Sequence, residues 1–140
     1  MRVLVVEDDL ALEKAIVDTL TQMGHVVTSA QCLRDGALAV ENDLEEFDVI
    51  VTDVQLPTFR DSPRPDGSGL DIVRRLVRHE GNVADPIPVY VHSSDTTDRG
   101  TDIAQWLKEK YPSAVFRKKH YDVRTTTQAV VEYINSIDSK

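Results

Sequence analysis

Five short apolar runs, each followed by a stretch with helical spacing, constrain this chain more than any other feature. Val3 to Val6 comes first; residues 10–23 follow, with Leu12, Ala15, Ile16, Thr19, Leu20 and Met23 recurring every three or four positions. That spacing predicts an amphipathic helix stopped by Gly24. Residues 25–29 read as a second strand centred on Val26 and Val27, and 31–43 as a second helix carrying Leu33, Ala37, Leu38 and Val40. Val49 to Asp53 is the third strand. The polar stretch 58–68, with Pro63, Pro65 and Gly67, reads as a loop. A third helix is predicted over 69–79, with Leu70, Ile72, Val73, Leu76 and Val77 on or near one face. Residues 87–92 form the fourth strand, and Pro88 fits best at its first position. A polar segment, 93–102, leads to a helix holding Ile103, Ala104, Trp106, Leu107 and Tyr111 and stopped by Pro112. A brief fifth strand, 114–117, precedes a last helix over 125–137. Strands that alternate with helices imply right-handed crossovers and a parallel sheet, hence an α/β fold.

The chain has 140 residues and no internal repeat or low-complexity tract, so a single domain with a true core is expected, spanning about 2–138. A net charge of −8, from 16 basic and 24 acidic residues, argues against a dominant nucleic-acid surface. Cys32 is the sole cysteine, which excludes an intrachain disulfide and suits a reducing compartment. No apolar run approaches the ~20 residues of a membrane span. With no secretory leader pattern before the first strand, the expected location is cytoplasmic.

Two acidic clusters sit at the ends of apolar runs. Glu7-Asp8-Asp9 follows the first strand, and Asp53 ends the third. In an open parallel sheet both reach the carboxyl edge, where such folds build their sites. Carboxylates crowded there repel one another and call for a hard cation such as Mg2+ to stay ionised together. The ordinary alternative is a helix cap or a solvated loop, and Asp9 fits a cap of the first helix. Convergence with Asp53 makes that alternative a poor account of Glu7 and Asp8. His25, His79, His92 and His120 share no metal-ligand spacing and read as structural or exposed. Trp106 reads as core or partner surface.

These motifs, in this order, resemble the receiver domain of two-component response regulators across nearly the whole chain. Val3-Leu4-Val5-Val6-Glu7-Asp8-Asp9 is similar to that family's first strand with its acidic pair. Val51-Thr52-Asp53-Val54-Gln55-Leu56-Pro57 resembles the phosphoacceptor strand and the loop after it. Pro65-Asp66-Gly67-Ser68-Gly69-Leu70-Asp71 resembles the turn into the third helix. Pro88-Val89-Tyr90-Val91-His92-Ser93-Ser94 resembles the fourth strand with its terminal hydroxyl, and Phe116-Arg117-Lys118-Lys119-His120-Tyr121-Asp122 the fifth strand with its lysine. The resemblance implies a flavodoxin-like, doubly wound five-stranded parallel sheet of order 2-1-3-4-5. It implies that Asp53 is the phosphoacceptor and that Mg2+ is held by Glu7, Asp8, Asp53 and the backbone carbonyl of Gln55. Lys119 and Ser93 would contact the phosphoryl oxygens, Ser93 and Phe116 would form the switch, and Gln55 and Asp95 would tune dephosphorylation. The implied partners are a histidine kinase or histidine phosphotransfer protein and an output protein of unknown identity. Neither direct nucleic-acid nor membrane contact is expected, and no output domain. Such a protein catalyses only its own phosphorylation and dephosphorylation.

Three departures stand out. His120 follows the lysine where the family has proline, so its peptide bond is either trans or strained, and the choice between Lys118 and Lys119 loosens; Tyr121-Asp122 favours Lys119. Thr58 to Arg64, with Arg60, Asp61 and Arg64, reads as an insertion beside the site. The fourth helix reads about a turn longer than usual. Three other readings compete. A Mg2+ phosphohydrolase would want an Asp where Gln55 stands. A degenerate receiver acting as an interaction module would not need the set Asp8, Asp53, Ser93 and Lys119. A flavin binder would need a hydroxyl- and Gly-rich loop where Glu7-Asp8-Asp9 lies.

Overall fold

The structure, a computed structural model, describes residues 1–80, 86–94 and 98–139, with the side chains of 79, 80 and 98–101 left aside. Among the described residues, five parallel strands form one sheet: β1 (Arg2–Val6), β2 (Val26–Ala30), β3 (Val49–Asp53), β4 (Val89–Ser93) and β5 (Val115–Lys118). Their order is β2-β1-β3-β4-β5. Among the described residues five α-helices connect and follow them: α1 (Leu10–Gln22), α2 (Leu33–Asp43), α3 (Leu70–Glu80), α4 (Asp98–Lys110) and α5 (Val123–Asp138). This is the parallel α/β sheet expected from the alternation, in the doubly wound order that the resemblance implies.

Both sheet faces are covered, which is why the central strands are continuously apolar rather than alternating. Odd positions of β1 (Val3, Val5) join Val49, Val51 and Tyr90 against Leu12, Ile16 and Leu20 of α1 and Val130, Val131 and Ile134 of α5. Even positions (Leu4, Val6) join Ile50, Val89 and Val91 against Val40 of α2, Leu76 of α3 and Leu107 of α4. Period-two alternation along each strand thus sorts the chain into two cores.

The structure adjusts several boundaries. Helix α1 stops at Gln22, and Met23 is its cap, 42% exposed rather than part of the buried stripe. Gly24 adopts φ 93°, and the amides of Gly24 and His25 donate to the carbonyls of Thr21 and Leu20, a Schellman closure. The chain then enters β2 at Val26, which is 66% exposed on an edge strand and is not its apolar centre. Helix α4 begins at Asp98, inside the stretch read as polar loop.

The segment after β3 is more ordered than a loop. Gln55–Leu56 pairs antiparallel with Gly67–Ser68, so residues 57–66 form the tip of a small hairpin. Asp66 accepts from the Thr58 amide at 2.9 Å, Arg60 pairs with Asp35 of α2 at 3.0 Å, and the Arg34 guanidinium lies 5.6 Å from the Phe59 ring centre. Gly69 brings the hairpin's return strand against β3. A Cβ there would lie 1.8 Å from the Asp53 carbonyl oxygen, so only glycine allows this approach.

Candidate functional site

The ends of β1, β3 and β4 and the turn after β5 converge at the carboxyl edge of the sheet. Strand pairing aligns Val6 with Thr52, Asp53 with His92, and Ser93 with Lys118. Past β1, the Glu7 amide donates to the Ala30 carbonyl, which holds the acidic pair beside β2. Past β5, the Lys119 amide donates to the Ser93 carbonyl at 2.8 Å and carries the strand's direction one residue further. No cis peptide bond occurs among the described residues, so the Lys119–His120 bond is trans.

Lys119 reaches both carboxylates. Its Nζ lies 2.6 Å from Asp53 Oδ2 and 2.9 Å from Glu7 Oε1, whereas Lys118 is exposed. Asp53 is 2% exposed, and its Oδ1 accepts from the Gln55 amide at 3.2 Å. Glu7 is fully buried; its Oε2 accepts from the Asp9 amide. One oxygen from each of Glu7, Asp8 and Asp53 falls within 4.8 Å of the others, Asp8 being the most exposed of the three. An all-oxygen set this close suits a hard divalent cation bound at about 2.1 Å per oxygen after small side-chain rotations. Asp9 caps α1, accepting from the amides of Ala11 and Leu12. Its role is thus structural.

Burial governs the charge balance. Loss of solvent, reinforced by the Glu7 charge, pushes the Asp53 carboxyl up to about 7, with Lys119 pulling the other way. Burial likewise raises Glu7 against the opposing pull of Lys119. Burial disfavours the Lys119 ammonium, but Asp53 and Glu7 outweigh it and hold the amine charged above its ordinary range. One cation therefore faces two carboxyl groups whose ionised forms burial disfavours, and a metal ion would favour both charges.

Of the remaining expected residues, Gln55 and Ser93 lie beside this centre. Ser93 is buried and its Oγ donates to Gln55 Oε1 at 2.9 Å. Phe116, aligned with Val91 on β5, is half-buried against the core that α4 covers. Asp95 lies outside the described residues. A cavity of about 800 Å3 opens beside Lys119, with Asp9, Ser94, Tyr121 and Thr126 in its lining. Trp106 is half-buried on α4, with the Arg74 guanidinium 4.9 Å from its ring centre.

Sequence reasoning missed His92. It is 1% exposed, and its Nε2 lies 3.1 Å from Glu7 Oε1. Burial, reinforced by the Lys119 charge, lowers its pKa to about 4, so the ring is neutral. Its partner was hidden by 85 residues of separation, but its face was not: His92 lies two positions after Tyr90, on the same side of the sheet. Of the other histidines, His25 is buried against the N-terminal amine, His120 is exposed, and the side chain of His79 is outside the described set.

Comparison with known proteins agrees with this geometry. No curated protein sequence matches the chain. Among solved structures, the non-phosphorylated HemR receiver domain of Leptospira biflexa is similar at 21% identity and TM-score 0.69, covering 94% of this chain and 91% of that one. A CheY-like response regulator receiver domain protein from Methanospirillum hungatei has 17% identity and TM-score 0.70, with 99% and 96% covered. The response regulator domain of Thermotoga maritima CheB has 20% identity and TM-score 0.69, with 97% and 94% covered. At these identities the structures speak for the fold. The model of the response regulator receiver domain matches residues 3–109, well over half of the sequence, and the chain belongs to that family.

Proposed function

We propose that the protein is a phosphorylation-dependent signalling switch whose phosphoacceptor is Asp53. The observation that carries this reading is the contact of Lys119 Nζ with Asp53 Oδ2 at 2.6 Å, inside a cluster of three carboxylates at the sheet's carboxyl edge. A carboxylate so placed attacks the phosphorus of a phosphohistidine or small phosphodonor, and the donor's bond to phosphorus breaks as the acyl phosphate forms. Transfer of this kind needs positioning and charge neutralisation more than covalent assistance. Glu7, Asp8, Asp53 and the backbone carbonyl of Gln55 would hold Mg2+, which when bound neutralises the phosphoryl oxygens. Lys119 would move its ammonium from the Asp53 carboxylate to a phosphoryl oxygen. Ser93 would exchange its bond to Gln55 for one to another oxygen.

Departure of the Ser93 hydroxyl opens space on the side of the sheet where Phe116 lies, and inward rotation of Phe116 is the natural response. The changed surface is α4, β5 and α5, read by an output protein. Gln55 and Asp95 would govern how readily water reaches the acyl phosphate. The phosphodonor partner would be a histidine kinase or histidine phosphotransfer protein, with the cytoplasm as its setting. No described helix is long and apolar enough to cross a membrane.

The test is direct. Protein incubated with Mg2+ and acetyl phosphate should gain one labile phosphoryl adduct in intact-mass analysis, absent from Asp53→Asn and suppressed by a chelator. An adduct that persists in Asp53→Asn, or no adduct and no Mg2+ binding at all, would refute the proposal.

A further inference from the structure

We propose that His92 is a positioning residue whose Nε2–H fixes the Glu7 carboxylate and thereby sets how tightly the Glu7-Asp8-Asp53 cluster holds a divalent cation. The proposal rests on the reading of that cluster as a cation site. It concerns a residue that lies outside the set the resemblance supplied.

The tautomer follows from the contacts. His92 Nε2 lies 3.1 Å from Glu7 Oε1, while Nδ1 is buried with no hydrogen-bond partner among the described residues. A neutral imidazole has one N–H. Placed on Nδ1, it would bury an unpaired donor and aim the Nε2 lone pair at an acidic oxygen. Placed on Nε2, it donates to Glu7 and leaves only a bare lone pair. The Nε2–H form is therefore the one present.

A ring that served only to fill space would not carry this orphaned nitrogen. The neighbours of His92 along the strand are Val89, Tyr90 and Val91, and an aliphatic side chain would fill the position with no polar atom left over. What the ring gains for that cost is one bond to Glu7. Other donors to Glu7 come from outside the strands: the Asp9 amide just before α1 and the long, flexible Lys119 side chain on the turn after β5. His92 reaches Glu7 from the central strand β4, paired in register with Asp53 itself. It ties the orientation of one carboxylate to the strand beside the other. Carboxylates that bind metals are commonly oriented by such outer contacts, and removing one typically costs roughly 10–100-fold in metal affinity.

The experiment is a double-mutant cycle on the full chain, with Mg2+ binding followed by calorimetry. Wild type, His92→Leu, His92→Gln, Glu7→Gln and the His92→Leu/Glu7→Gln double variant are compared, and their cooperative thermal unfolding in chelator is recorded. His92→Leu should lose roughly 10–100-fold in Mg2+ affinity. His92→Gln, which keeps an amide donor, should recover most of it. In the Glu7→Gln background the same Leu substitution should change affinity by less than about twofold, because the two residues act through one contact. Unchanged affinity in His92→Leu, or an equal loss in both backgrounds, overturns the proposal. Should His92→Leu fail to fold, nitrogen NMR of the labelled wild type decides: the Nε2-protonated tautomer supports it and the Nδ1-protonated form overturns it. A wild type that binds no Mg2+ overturns both this proposal and the functional reading, whereas wild-type binding with an unaffected His92→Leu overturns this one alone.

Discussion

At Asp53, folding and chemistry pull against each other. Burial with Glu7 close by pushes its carboxyl up to about 7, so at neutral pH the fold holds a charge it would rather neutralise. The folded protein binds that proton more tightly than the unfolded chain does. Its stabilising effect is fully present below the ordinary carboxylate range and is lost as pH rises toward about 7. Asp53→Asn should therefore stabilise the metal-free protein at pH 7.5 by about 1–3 kcal/mol, with the gain shrinking toward pH 4; parallel urea titrations check this. The opposite sign applies to His92. Burial depresses its pKa to about 4, so its contribution is present above the ordinary histidine range and lost as pH falls through about 4. His92→Gln, with nothing to protonate, should lose less stability than wild type between pH 6.5 and 4, measured by the same titrations.

At the level of elements, strand parity organises the site. Glu7, Asp53 and His92 each lie two positions past a residue facing α1 and α5 (Val5, Val51 and Tyr90), and Lys119 lies four past Val115. Ser93 continues the other row, after Val89 and Val91, as Phe116 does on its own strand. The chemistry thus sits on one face of the sheet edge and the expected moving parts on the other. The sheet and its helices were readable from the recurring apolar runs and helical spacings; the division between faces was not, because the central strands are apolar on both sides. Val26 and Met23 misled for a physical reason: hydrophobicity says nothing about whether a strand lies at an edge or a residue just past a helix end. The contact between His92 and Glu7 was unreadable because no local rule joins residues so far apart. The ladder of Gln55–Leu56 with Gly67–Ser68 was missed because two-residue strands leave no periodic trace. Its closure depends on Gly69. Gly69→Ala should cost about 2–4 kcal/mol in denaturant unfolding. The displaced end of β3 should also slow acetyl-phosphate labelling of Asp53 by more than about tenfold.

For the whole molecule, a cation at the carboxyl edge would couple chemistry to global stability. The buried carboxylates hold the apo fold below its potential at neutral pH, and a ligand that binds only the folded state stabilises it by mass action. At ten times its dissociation constant, Mg2+ should add about 1.4 kcal/mol, a rise of about 4 °C in Tm by calorimetry at pH 7.5. The rise should be much smaller at pH 4.5, where protons occupy the same oxygens. A different consequence follows from the hairpin after β3. Its two strands are stitched together before the tip begins, so the separation of the tip's ends is set by the ladder and not by what lies between them. Chain length at residues 59–64 is therefore nearly free to vary. Doubling a flexible loop costs only about 0.6 kcal/mol in closure entropy. A tag or recognition peptide spliced there would leave the ladder, and with it the placement of Asp53 at the end of β3, unchanged.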